Sequence, residues 1–341
     1  IPKSVKAIAR AGAGVNNIPI DKCSERGIVV FNTPGANANA VKELVIAALL
    51  LSSRKIVDGI MWVNTLKDEG DNISKVVEKG KSSFAGPEIM GKKLGVIGLG
   101  AIGVMVANAA YGLGMEVMGY DPYISVDAAW GLSRGVKKAL SLKEIYETCD
   151  YITLHIPLNN ETRGMIGAEA FDSLKDGVRI LNFSRGELVD VDEMLKALDC
   201  GKVASYVTDF ADAKFIGHKS VITIPHLGAS TPESEDNCAV MAASELSEYL
   251  ENGNIINSVN FPNCSLERSA DHRICIAHKN IPNMLGQISA FFAGKNINIA
   301  NLLNKSRGNN AYTILDVDEN PGDDVISTLE SVDGILAVRV I

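Results

Sequence analysis

Three glycines, Gly98, Gly100 and Gly103, follow the apolar run Leu94–Ile97 and open a segment of small and apolar residues, Val104–Leu113. A second apolar run, Glu116–Tyr120, leads into Asp121. Strand, glycines, helix, strand and terminal acid are, in that order, the parts that hold a dinucleotide. One glycine makes a tight turn, one lets the backbone approach a pyrophosphate, and one lets helix and strand pack closely. The helix N-terminus then faces the phosphates with unpaired N–H groups and a partial positive charge. An acid at the end of the second strand accepts hydrogen bonds from a ribose diol and repels a 2′-phosphate, which points to NAD as cofactor. The glycine pattern alone would mark only a close helix–strand contact; the ordered set carries the reading.

These parts need a sheet to position them. Further strand-length runs recur at Tyr151–Ile156, Val178–Phe183, Val203–Thr208 and Val221–Ile224. Helix-like patterns such as Leu142–Glu147 and Val191–Leu198 separate most of them, so the sequence predicts a parallel sheet covered on both faces. Just past these strands stand His155-Ile156-Pro157, Ser184-Arg185-Gly186, Asp209 and Pro225-His226-Leu227-Gly228. Ligands of open parallel sheets bind at the carboxyl ends of the strands, so these positions should gather around the nicotinamide end of a cofactor.

Upstream, Lys6–Ala9, Gly12–Gly14 and Ile28–Phe31 read as part of a second α/β unit, followed by a long helix from about Asn39. Asp236–Glu251 reads as a helix returning to that unit, and Val259–Ser269 as a linker. The last stretch reads β (Arg273–Ala277), α (Met284–Ala293), β (Ile297–Asn304), β (Tyr312–Val317), α (Val325–Leu329), β (Ile335–Val340), with both helices on one face. The predicted boundaries are 1–50 plus 236–258 for a substrate-binding domain, 51–235 for the NAD domain, 259–268 for the linker and 269–341 for the last domain.

Composition excludes several classes. The 341 residues carry a formal charge of −8, with 46% hydrophobic and 22% charged residues. No basic field is available for nucleic acid or an anionic membrane. The longest apolar stretch, Leu44–Leu51, is too short to span a bilayer. The six cysteines show no metal-ligand spacing, so no metal site is expected, and reduced thiols in a cytoplasmic protein are the reading. A start at Ile1, inside what reads as a folded region, suggests that part of the substrate domain precedes it.

From Arg10 to Glu251 the chain resembles the D-2-hydroxyacid dehydrogenases. The residues that carry this are Arg10-Ala-Gly-Ala-Gly-Val-Asn16, Asn32-Thr-Pro34, Gly98–Gly103 with Tyr120-Asp-Pro122, His155-Ile-Pro-Leu158, Asn182-Phe-Ser-Arg-Gly186 and Pro225-His-Leu-Gly-Ala-Ser-Thr231. The last 70 or so residues resemble ACT regulatory modules through His278-Lys-Asn-Ile-Pro-Asn283 and Asn296-Ile-Asn-Ile299. The resemblance implies an α/β fold in three parts: a doubly wound Rossmann NAD domain, a partial flavodoxin-like substrate domain and a βαββαβ ACT-like domain. It implies a homodimer or homotetramer acting on a phosphorylated 2-hydroxy acid. It assigns Gly98, Gly100, Ala101, Ile102, Gly103, Asp121, Ile156, Phe183, Asp209, His226, Gly228 and Ala229 to the cofactor. Gly12, Ala13, Gly14, Asn37 and Arg185 go to the substrate, and His278, Asn280 and Asn298 to an L-serine effector. Asn37 reads equally well as a helix cap or turn residue.

Hydride transfer at C2 of a hydroxy acid needs a cation for the carboxylate and a group that exchanges the hydroxyl proton. Arg185 suits the first, because a guanidinium holds a carboxylate bidentately. A solvated surface arginine is the competing reading. His226 suits the second, because imidazole titrates near neutral pH; a core histidine bonded to backbone competes. His155 reads as shaping the cofactor pocket and His218 as solvated in a polar loop. One departure stands out. Where the family places a glutamate that supports the histidine, a few residues after Asp209, this chain has Ala213 and Lys214, so either Asp212, the only acid within reach, takes that supporting role or the histidine works unassisted. Two other functions compete with phosphorylated-substrate oxidation: a dehydrogenase for hydroxypyruvate or glyoxylate, and a non-catalytic NAD(H)-sensing partner protein.

Overall fold

The computed structural model describes residues 1–322 and 324–341. The chain divides into two compact units, residues 38–234 and residues 1–37 with 235–341. In the split unit, β1 (Ala7–Arg10) and β2 (Val29–Asn32) pair in parallel.

The continuous unit holds β3 (Lys93–Ile97), β4 (Glu116–Tyr120), β5 (Lys137–Lys138), β6 (Tyr151–Leu154), β7 (Val178–Asn182), β8 (Val203–Thr208) and β9 (Val221–Thr223). They form one parallel sheet in the order β5-β4-β3-β6-β7-β8-β9. The strand order reverses between β3 and β6, as in a doubly wound sheet. Alternation along the strands feeds two cores. On one face the helices Ala38–Arg54 and Ala101–Gly112 bury Val45, Leu49, Val106 and Ala110 against Leu94, Val96, Leu181 and Val207. On the other, the helices Leu142–Thr148, Ala168–Ser173 and Val191–Asp199 bury Ile145, Phe171, Met194 and Leu198 against Ile152, Ile180 and Tyr206. Each fully buried Leu or Ile contributes about 1.5–3 kcal/mol. Ser141 and Asp190 cap two of these helices through their side chains.

The split unit is completed by the helix Pro232–Asn252, most of which lies in it, and by β10 (His272–Lys279), β11 (Ile299–Arg307), β12 (Asn310–Val317) and β13 (Ile335–Val340). These last four form an antiparallel sheet in the order β11-β12-β10-β13. The helices Met284–Gly294 and Val325–Glu330 bury Met284, Ile288, Phe292, Val325 and Leu329 on one face, against Ile274, Ile276, Leu315 and Val317. This is the βαββαβ order expected. The opposite face is not solvated: Cys275, Ala277, Tyr312 and Ile314 pack against Val29, Phe31, Tyr249, Phe261 and Cys264. At its margin Arg273 and Asp316, both fully buried, form a two-point ion pair at 2.7 and 2.9 Å.

Three features differ from the sequence reading. The helix Ala38–Arg54 packs on the seven-stranded sheet instead of joining residues 1–37, because its apolar stripe matches that core. Residues 259–268 are irregular but not a solvated linker: Asn260 accepts Val30 N–H and donates to Ile28 O, both at 2.9 Å, and Phe261 and Cys264 are buried. The helices Ile56–Asn64 and Ile73–Gly80, which bury no residue fully, are absent from the sequence reading. Among the described residues, no helix is long and apolar enough to cross a membrane.

Candidate active site

The three glycines have three different surroundings. Gly98 has φ +93°, and a Cβ on it would meet the His155 carbonyl oxygen at 2.3 Å, so the β3 turn presses against the end of β6. A Cβ on Gly103 would meet the Gly98 carbonyl oxygen at 1.9 Å, which is close helix–turn packing. Gly100 opens on empty space: nothing lies within 4 Å of its would-be Cβ. That gap sits at the N-terminus of the twelve-residue helix Ala101–Gly112, which has no side-chain cap. Ala101 and Ile102 form its first turn, and their N–H groups have no partner within the helix. These residues fit a dinucleotide pyrophosphate.

Asp121 stands at the end of β4. Its two carboxylate oxygens accept the Leu99 and Tyr123 N–H groups, each at 2.8 Å. The acid is thereby fixed beside the glycine turn, with lone pairs left for a diol.

The remaining strand ends lie along the same edge of the sheet. Phe183, after β7, is buried; Ile156, after β6, is half-buried. Arg185 is exposed, and its guanidinium donates to the neighbouring Ser184 O at 2.6 Å. Asn182 holds the turn from below, donating Nδ2–H to Arg185 O at 2.8 Å. His226 is exposed, and its ring meets Phe210 edge-on with centroids 4.9 Å apart. Asp209, at the end of β8, is 2% exposed; its Oδ2 accepts Gly228 N–H at 3.4 Å, while Oδ1 is buried without a partner. Burial raises the Asp209 carboxyl above its ordinary range, against the opposing pull of His226, the Gly228 N–H and Arg185. Ala229 follows in the same turn. Asn182 and Phe210 have no role of their own in the sequence reading, although each adjoins a residue that does.

Asp212 is placed otherwise than expected. Its carboxylate accepts the Lys214 N–H at 2.8 Å, closing a local turn, and no hydrogen bond joins it to His226 among the described residues. Lys214 itself pairs with Asp192. His155 bonds Thr153 Oγ1 through Nε2 at 2.9 Å; its Nδ1 is buried without a partner, and burial lowers its pKa to about 3. His218 is tied to Asp199 and to Ser220 N–H instead of being freely solvated.

In the split unit, the loop after β1 folds on itself. Gly12 N–H is engaged by Thr33 Oγ1 at 2.7 Å and so is withdrawn as a donor to a ligand. Asn32 donates to Ala13 O, and Arg10 to Gly14 O. Asn37 is half-buried in the turn before Ala38. The effector positions also need correction. His278 is 2% exposed, with Nδ1 bonded to Lys279 O and Nε2 to Thr313 Oγ1, both at 2.8 Å. It offers no ring nitrogen to a ligand. Asn280 and Asn298 are exposed and donate to Gly308 O and Asp318. Asn283 adopts φ +65°, the left-handed conformation that asparagine tolerates.

A doubly wound sheet with an open glycine turn, a fixed acid after β4, and Arg185 and His226 along one edge defines a dinucleotide-dependent oxidoreductase site. Residues 46–228 match the NAD-binding domain of the D-isomer specific 2-hydroxyacid dehydrogenases, and the chain belongs to that family. It is 31% identical to D-3-phosphoglycerate dehydrogenase of Haemophilus influenzae, over 96% of this chain and 79% of that one. D-3-phosphoglycerate dehydrogenase 1 of Saccharomyces cerevisiae is 30% identical, over 96% and 72%. Among solved structures, the NAD⁺-bound 3-phosphoglycerate dehydrogenase of Entamoeba histolytica is similar with TM-score 0.59 and 32% identity, over 76% of each chain.

Proposed function

We propose that this protein oxidises 3-phospho-D-glycerate to 3-phosphohydroxypyruvate with NAD, a step that feeds L-serine synthesis. The observation that carries the reading is the gathering of an open glycine turn, an exposed guanidinium and an exposed imidazole along the carboxyl edge of one parallel sheet. The chemistry supplied by bound NAD is acceptance of a hydride from C2. Gly100 and the N–H groups of Ala101 and Ile102 hold the pyrophosphate, Gly103 sets the helix behind it, and Asp121 takes the ribose diol. Ile156, Phe183 and Ala229 give the apolar wall that excludes water from the reacting carbon. Arg185 anchors the substrate carboxylate and polarises the C2 oxygen. His226 accepts the hydroxyl proton.

The test is NADH consumption with phosphohydroxypyruvate, hydroxypyruvate and glyoxylate. The expected result is a kcat/KM highest for the phosphorylated acid. A preference for hydroxypyruvate or glyoxylate would reassign the substrate, and NADH binding without turnover on any of them would favour a sensing protein.

The βαββαβ sheet supports a second assignment, an ACT-type module that binds L-serine through Asn280 and Asn298 between two copies of the chain. Side-chain amides can take both the ammonium and the carboxylate of a free amino acid. Calorimetry and activity titration with L-serine test it; no heat and no inhibition at millimolar ligand would leave the sheet an assembly element.

A further inference from the structure

A cavity of about 710 Å³ lies wholly within the continuous unit and shares no residue with the candidate active site. It is walled by the end of the helix Ala38–Arg54, the start of the helix Ile56–Asn64, residues 85–87 and 217–223, and the amino ends of β7 and β8. Such a volume suits a small molecule. Arg179, Lys55 and Lys219 line it, and Asp58 is the one carboxylate among the lining residues. His218 also lines it, but its ring nitrogens are engaged by Asp199 and Ser220 N–H.

Arg179 is held firmly yet left without an anion. Its Nε donates to Ser52 O at 3.0 Å, and its guanidinium lies over the Tyr151 ring, 5.4 Å from the centroid. Among the described residues it forms no ion pair, and its two Nη groups have no acceptor. A guanidinium fixed in this way presents a fork that grips two oxygens of one anion. Ser205, its register partner on β8, is 7% exposed, and no hydrogen bond reaches its hydroxyl among the described residues. Thr223 Oγ1 is buried without a partner as well. Buried hydroxyls of this kind cost stability unless something in the cavity completes them. The helix Ile56–Asn64 adds further donors. Lys55 stands at its N-cap with φ +47°, a constrained conformation for lysine, and gives the helix no side-chain cap. The first N–H groups of that helix have no partner within it and carry the positive end of its dipole. Lys55 Nζ makes only a long 3.5 Å contact with Ser83 O, and Lys219 is exposed.

We propose that this cavity is a second ligand site, which takes the phosphoryl group of free phosphate or of a small phosphorylated metabolite. Arg179 grips two phosphoryl oxygens, the Ser205 and Thr223 hydroxyls donate to the ligand, and Lys55, Lys219 and the helix N-terminus balance its charge. Nothing in this site depends on which 2-hydroxy acid the protein oxidises.

The experiment is calorimetric titration of the NADH-saturated protein with inorganic phosphate, NADH being added first so that the glycine turn is occupied. The expected result is saturable binding of one phosphate per chain, weakened at least tenfold in Arg179→Gln. Arg179 also packs on Tyr151, so a second variant guards against misfolding. Lys55→Gln combined with Lys219→Gln changes two exposed side chains, should fold normally by circular dichroism, and should also weaken phosphate at least tenfold. Arg185→Ala should leave phosphate affinity within twofold. Glycerol 3-phosphate titrated in the same way separates the two sources. Tighter binding than inorganic phosphate marks a phosphorylated metabolite, and equal or weaker binding marks free phosphate; either result carries the phosphoryl site. No saturable heat at millimolar phosphate overturns the proposal. So does unchanged affinity in the folded lysine double variant. Binding that is lost in Arg185→Ala also overturns it, because the anion then sits in the candidate active site.

Discussion

The carbonyl oxygen of Gly98 and the α-carbon of Gly103 are so close that a Cβ on Gly103 would lie 1.9 Å from that oxygen, while the space beside Gly100 is empty. Two glycines of one turn therefore serve different ends, and alanine should separate them. Gly100 has φ −75°, which alanine adopts without strain, so Gly100→Ala should fold normally. Its methyl group would occupy the phosphate approach, and NADH affinity should fall at least tenfold. Gly103→Ala must push the helix off the turn and should lower stability by about 1–3 kcal/mol, as overpacking does. Urea unfolding and NADH titration of the pair check this. Loss of stability in Gly100→Ala with unchanged NADH affinity would reverse the two roles.

Asp121 joins structure and specificity in one side chain. Its bonds to the Leu99 and Tyr123 N–H groups fix the carboxylate before any ligand arrives. Asp121→Ala should weaken NAD(H) binding, with about 1.5–3 kcal/mol at most for each charged hydrogen bond lost to the diol. NADP(H), no longer repelled, should gain relative to NAD(H). Comparing kcat/KM for the two cofactors tests the role. Equal use of both by the unchanged protein would exclude it.

The strands and glycine turn of the larger sheet were legible because Leu94–Ile97, Val178–Asn182 and Val203–Thr208 are continuous apolar runs between helical patterns, the signature of strands buried on both faces. The strand-end positions of Arg185 and His226 were legible for the same reason: each follows such a run. What escaped depends on contacts distant in sequence. Asn260 and Phe261 look like loop residues and become core only against Ile28 and Val30. Asp212 drew notice by its spacing, whereas the burial of Asp209 appears only once β7 and β9 flank β8. His278 had a local signal that could have placed it. It alternates with Ile274 and Ile276, whose side chains lie under the helices of the C-terminal sheet.

The ion pair of Arg273 with Asp316 should be the most sensitive point of the C-terminal sheet. Both side chains are fully buried, and the guanidinium also donates to Asn252 O and Leu266 O. Removing one partner leaves a buried charge, so Arg273→Met or Asp316→Asn should each cost about 3–5 kcal/mol. Arg273→Met combined with Asp316→Leu should recover much of that loss, because the partnerless charge is gone. Burial pushes the Asp316 carboxyl up, but the bonds from Arg273 and Ser269 outweigh it and hold it below its ordinary 3.8. A depressed carboxyl stabilises the fold above its unfolded pKa and loses that contribution as pH falls below about 3.8. Urea midpoints of the single and double variants measure the first effect. A double variant no better than the worse single one would contradict it.

His155 should make the larger unit acid-labile at a higher pH. Burial holds its imidazole neutral, with the pKa lowered from 6.5 to about 3, and its Nδ1 has no partner to receive a charge. The unfolded chain therefore binds a proton that the folded chain refuses between those values. By linkage, this contribution is complete above about pH 6.5 and declines steadily as the pH is lowered toward 3. Because His155 abuts the Gly98 turn, opening there should disturb cofactor binding before the rest of the sheet gives way. His155→Gln keeps a hydrogen-bonding group for Thr153 and does not titrate. The expected outcome is that the unchanged protein loses stability between pH 7 and pH 5, and that the variant loses distinctly less. Chemical denaturation at the two pH values, with NADH affinity measured in parallel, decides. Equal losses in both proteins would assign the acid sensitivity to another group.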